Sequence, residues 1–123
     1  EKNIPMKLKK IGDIFLNLKE KYPPEVIIIE QGFTRYNKST QAIFRVHGVI
    51  NYLFYDCKQI YYPATTIKKA VGGKGNMSKK DLQKILNLEY PQIEFDNYDE
   101  SDAFALAKMY FMEKGVPNAP YNS

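Results

Sequence analysis

Cysteine and histidine are almost missing from this chain: Cys57 and His47 stand alone among 123 residues. A single cysteine excludes an internal disulfide and fits a reducing compartment. One cysteine and one histidine are also too few for a zinc site or for a thiol–imidazole nucleophile pair. No apolar run approaches membrane-spanning length, so no membrane association is expected. The first amphipathic segment is broken by Lys7, Lys9, Lys10 and Asp13, a pattern unlike a secretion signal. Acids are absent from Cys57 to Lys80, where Lys58, Lys68, Lys69, Lys74, Lys79 and Lys80 all fall. Internal repeats and low-complexity tracts are absent as well.

What remains is the composition of a globular protein of single-domain length, 44% hydrophobic and 26% charged. The net charge of +4 permits a polyanionic partner without requiring one. Leu8, Ile11, Phe15 and Leu18 recur at helical spacing behind Pro5, and Tyr22-Pro23-Pro24 ends that helix. Val26-Ile27-Ile28-Ile29 follows, apolar on both faces, which predicts a strand buried on both sides and ending at Glu30. Asn37 or Ser39 is placed to cap a second helix. Its broad apolar face (Ala42, Ile43, Val46, Val49, Ile50, Leu53) predicts burial on more than one side. Gln59-Ile60-Tyr61-Tyr62 reads as a shorter strand stopped by Pro63, with a brief helical turn over residues 65–71. Gly72, Gly73 and Gly75 demand a loop. Ser78 and Asp81 form a reduced capping box for a helix burying Leu82, Ile85 and Leu86. A last helix over residues 101–113 ends at Gly115 and Pro117.

Two acidic centres and one basic loop carry the candidate chemistry. Glu30 sits at the carboxyl end of a strand, where sheets of this kind bind ligands, although a carboxylate there also simply meets water. Asp99 and Asp102 are spaced i, i+3, and Asp102 shares its helix face with Ala105, Leu106, Met109 and Met112. Capping accounts well for Asp99 and Glu100. An inward Asp102 is costly unless its charge is compensated, and a divalent cation is one compensation. The Gly72–Gly75 loop lacks the Lys-Ser/Thr pair of a P-loop, which argues against nucleotide binding by that route. Its lysines suit a phosphate backbone, or merely a solvated face.

Three blocks, in order, resemble the RuvC family of Holliday junction resolvases (crossover junction endodeoxyribonucleases), whose domain has the ribonuclease H-like α/β fold. They are Ile28-Ile29-Glu30-Gln31-Gly32-Phe33, the run from Ile67 to Lys79, and Asp99-Glu100-Ser101-Asp102-Ala103. The resemblance covers residues 24–111, more weakly the first helix. It implies a metal-dependent endonuclease of recombination and repair that resolves four-way DNA junctions by paired symmetric nicks. Glu30, Asp99 and Asp102 are then catalytic metal ligands for Mg2+, with Mn2+ also accepted and two ions in the intact site. Lys68 and Lys79 are catalytic lysines that neutralise phosphate or transition-state charge. Phe33 stacks on an unpaired base, and Arg35, Tyr36, Lys69, Lys74 and Lys80 contact DNA. The resemblance further implies a homodimer, with the charge-poor helix at residues 39–55 in its interface, and a cytoplasmic setting in a bacterium or bacteriophage.

The family's first strand carries an essential aspartate and opens a three-stranded meander. Asp13 is the only aspartate before Glu30 and lies in a helix, so it is no substitute. The expectation is therefore a single nuclease domain over residues 1–123 that lacks the N-terminal strands of the fold. Such a chain is expected to bind metal poorly and to be inactive. Two rivals stand beside this reading: a nuclease for branched DNA in general, and a non-catalytic DNA-binding module of the same fold.

Overall fold

The structure is a computed structural model and describes residues 3–31 and 38–115, with the side chains of residues 38–40 not described. The elements in order are α1 (Ile4–Lys21), β1 (Val26–Gln31), α2 (Lys38–Leu53), β2 (Lys58–Pro63), α3 (Ala64–Gly72), α4 (Lys79–Glu89) and α5 (Tyr98–Glu113). The two strands pair in one sheet and are joined through α2, the crossover that a parallel pair requires. The chain forms two compact units. One holds α1, α2 and the first residues of both strands; the other holds the last residues of both strands with α3, α4 and α5.

In the first unit α1 packs against α2. A proline in its first turn opens α1, and the helix stops at Lys21, before the two prolines that cannot continue it. Gly12 faces α2: a Cβ there would stand 3.4 Å from a methyl of Val49, an ordinary van der Waals contact. Phe15 meets Phe54 edge to face, with ring centroids 6.3 Å apart. Lys19 ties the unit together by donating to Leu53 O at 2.9 Å and to Asp56 at 2.8 Å. The expectation that α2 is buried on more than one side is corrected here. Ile50 and Phe54 are buried, whereas Ile43, Phe44 and Tyr52 are exposed. Its apolar face is wider than the surface α1 offers to cover it. Asn37 lies outside the described residues, and Ser39 falls inside the helix, not before it.

β1 also departs from its pattern. Only Ile29 is buried; residues 26–28 are half-buried, and Glu30 and Gln31 are exposed. With one paired neighbour, the strand cannot have both faces and both edges covered among the described residues.

The second unit has the better core: Ile67, Leu82, Leu86, Tyr90, Ala105, Leu106 and Met109. Leu82 and Leu86 share a face of α4, and Ala105, Leu106 and Met109 share one of α5, the i, i+3, i+4 arrangement of helices that bury one stripe. Each fully buried leucine contributes about 1.5–3 kcal/mol. Met112, expected on that stripe, is exposed. The Lys108 ammonium lies in this unit against the Glu89 carboxylate and 5.2 Å from the centre of the Tyr90 ring. Tyr62 Oη donates to Glu113, and that bond pushes the phenol up to about 12. The turn expected at residues 65–71 is a full helix through Gly72, and Gly73 caps it with φ +93°, a conformation natural to glycine.

Candidate active site

Every acid and lysine that the sequence singles out as catalytic lies in the second unit. Glu30 is the penultimate residue of β1, Lys68 sits on α3, Lys79 opens α4, and Asp99 and Asp102 stand in the first turns of α5. Local sequence explains each placement. Ser78 caps α4 by accepting from Asp81 N at 3.1 Å, which fixes Lys79 at the first helical position. Asn97 caps α5 by accepting from Glu100 N at 2.9 Å, and the Glu100 carboxylate accepts from Asp96 N at 2.8 Å. This cap, with Glu100 reaching back to the residue before it, starts α5 at Tyr98, a turn earlier than expected, so Asp99 is a first-turn helical residue.

The five groups act on one another. The Glu30 carboxyl is held above its ordinary range, chiefly because neighbouring groups desolvate it and next because of the Asp102 charge. Lys79 and Lys68 pull in the opposite direction, and Asp99 adds a smaller push upward. Asp102 Oδ2 lies 3.5 Å from Lys79 Nζ. Its other oxygen, Oδ1, is buried and has no hydrogen-bond partner among the described residues. An orphaned carboxylate oxygen whose charge also acts on a second carboxylate is an arrangement that a cation would satisfy. Among the described residues, however, no three His, Cys, Asp or Glu side chains gather closely enough to hold a metal ion by themselves. The three acids expected as ligands, Glu30, Asp99 and Asp102, thus do not converge on one point, and this chain presents at most part of a ligand set.

The family model described as crossover junction endodeoxyribonuclease RuvC matches residues 1–110. The chain belongs to the RuvC family. Among its RuvC relatives, that of Bdellovibrio bacteriovorus is 29% identical over 114 residues, covering 89% of this chain and 67% of the relative. The RuvC of Thermomicrobium roseum is 30% identical over 116 residues, 88% of this chain and 69% of the relative. The RuvC of Chlamydia muridarum is 35% identical over 91 residues, 68% and 53%. The chain thus spans between about half and two thirds of these relatives' lengths. Thermus thermophilus RuvC superposes with a TM-score of 0.71 over 89% of this chain and 70% of its own. The same organism's RuvC in complex with a Holliday junction substrate gives 0.75 over 90% and 71%. Both are 16% identical and bear out the ribonuclease H-like fold.

The DNA-contact residues expected from the RuvC resemblance divide three ways. Phe33, Arg35 and Tyr36 lie outside the described residues. Lys69 and Lys80 are exposed and are not among the groups that act on Glu30. Lys74 lines a shallow cavity of about 570 Å3 with Asn76, Ser78, Asp81 and Lys84 around Met77 and Ile85. Sequence reasoning missed Asn97, Gln83 and Ser101, which fasten the turn carrying both aspartates. Only Asn97 left a signal, the Asn-x-x-Glu spacing to Glu100.

Proposed function

We propose that the protein is a metal-dependent endonuclease that resolves four-way DNA junctions by paired nicks, acting as a homodimer in the bacterial cytoplasm. The observation that carries this reading is the gathering of Glu30, Asp99, Asp102, Lys68 and Lys79 within one unit, with Asp102 Oδ1 left unpaired. Membership of the RuvC family supports it.

In this reading Glu30, Asp99 and Asp102 hold Mg2+, or Mn2+ in its place. The ion, when bound, activates water and stabilises charge on the phosphodiester. Lys79 and Lys68 approach from α4 and α3 and neutralise the phosphate as negative charge builds on it. Their positive charge also restrains the Glu30 carboxyl from taking up a proton, keeping it a ligand. Lys69, Lys74 and Lys80 supply sequence-independent contacts to the backbone. Phe33 stacks on a base at the junction, worth about 1–3 kcal/mol, beside Arg35 and Tyr36. Both units belong to one nuclease domain, and the exposed Ile43 and Phe44 on α2 belong to the dimer interface. Because no three acids among the described residues close around an ion, the 123 residues alone bind Mg2+ weakly and cleave poorly.

A panel of synthetic DNAs tests the reading. The 123-residue chain is expected to shift a four-way junction at protein concentrations that leave linear duplex free. The full natural chain is expected to nick the junction symmetrically in Mg2+ and to lose that activity as Asp102→Asn. Equal cleavage of forks and flaps points to a general branched-DNA nuclease. Undiminished cleavage by Asp102→Asn ends the metal-ligand assignment.

A further inference from the structure

Gln83 sits on α4 one turn after Lys79, and so shares its face. Its side-chain amide donates to two acceptors on the turn that opens α5: Asn97 O at 3.2 Å and Ser101 Oγ at 3.2 Å. Ser101 is fully buried, lies between Asp99 and Asp102 in the chain, and donates in turn to Tyr98 O at 3.0 Å. Asn97 is the residue whose side chain caps the helix. One neutral amide thus reaches the cap and the hydroxyl next to Asp102, while Lys79 reaches Asp102 itself from the same face.

We infer that Gln83 is a positioning residue for the two α5 carboxylates. A carboxamide is well suited to the place: it offers two donors and no charge. Glutamate of the same shape would set a third negative charge beside Asp99 and Asp102 and would accept where donors are needed. Burial of Ser101 makes the contact consequential, because a buried hydroxyl that loses one partner is not rescued by water. Without the amide, the turn keeps its own cap and the Lys79 contact but loses its hydrogen bonds to α4. The aspartates then sample positions away from Lys79 and Glu30, and small displacements at a reacting centre cost up to about a hundredfold in rate.

The inference rests on the nuclease reading, and the experiment separates the two. Gln83→Met keeps the volume and removes both donors; Ser101→Ala removes the shared hydroxyl. With the full natural chain, each variant is expected to slow single-turnover junction nicking about tenfold or more while junction affinity stays within about twofold. The double variant is expected to be no slower than the worse single one, since both lose the same contact. Unchanged rates, or additive losses in the double variant, overturn the inference. Should the wild-type protein nick no junction, the nuclease reading fails and two other measurements decide on the 123-residue chain. Amide exchange at residues 101–103 is expected to speed up in Gln83→Met, and Mn2+-induced broadening of the Asp102 amide resonance to weaken. Wild-type behaviour in both would overturn the positioning role.

Discussion

Glu30 is where the physical chemistry is easiest to read. Partial desolvation by neighbouring groups and the Asp102 charge raise its affinity for a proton above that of an unfolded glutamate. Between the unfolded and the folded value, the native state binds more proton than the unfolded state. Stability therefore falls as pH rises through that window and stays lowered above it. Glu30→Gln is accordingly expected to raise the melting temperature at neutral pH, with the advantage disappearing as pH drops below the ordinary carboxylate range. Thermal melts of both proteins across that range check it; a constant difference at every pH speaks against a strained Glu30. The salt bridge from Lys79 to Asp102 is different, because an exposed ammonium adds about 0–1 kcal/mol at most. Its value is in charge near the phosphate, not in holding the fold. The sequence made Glu30, Asp99, Asp102, Lys68 and Lys79 legible because each sits in a block whose order and spacing resemble one family. Gln83 and Ser101 were illegible for a physical reason: a polar residue on a helix shows no sign of the partner packing brings to it.

At the scale of elements, the helices were read with more success than their burial. The starts of α1 and α4 follow from Pro5 and Ser78, local signals that need no tertiary context. By contrast β1 and α2 look fully buried in sequence and are only partly so, because an apolar pattern records which face can be covered, not whether anything covers it. Caps and core should differ accordingly in mutation. Asn97→Ala removes the acceptor for Glu100 N and is expected to cost about 0.5–2 kcal/mol. Leu86→Ala empties a fully buried position and is expected to cost about 2–5 kcal/mol. Urea denaturation followed by circular dichroism ranks them; a larger loss at Asn97 than at Leu86 would mean that α5 is held by its cap and not by the core.

At the scale of the whole molecule, α2 leaves apolar surface in an unexpected place. Ile43 and Phe44 stand exposed on a helix with Arg45 as its only charge after the first turn. Exposed apolar surface of this kind is where a partner subunit would seat. If it belongs to the proposed dimer, Phe44→Glu is expected to shift the protein toward monomer in sedimentation velocity without lowering its melting temperature. An unchanged sedimentation coefficient would place the interface elsewhere. Composition had already limited the chemistry at this scale: with one cysteine and one histidine, clustered carboxylates are the remaining protein ligands for a catalytic cation. The proposed cation is best tested by titrating the isotope-labelled 123-residue chain with Mn2+ and following paramagnetic broadening residue by residue. The amides of Glu30, Asp99 and Asp102 are expected to broaden first, and Asp102→Asn to abolish the effect. Broadening that begins elsewhere, or that persists unchanged in Asp102→Asn, would contradict it.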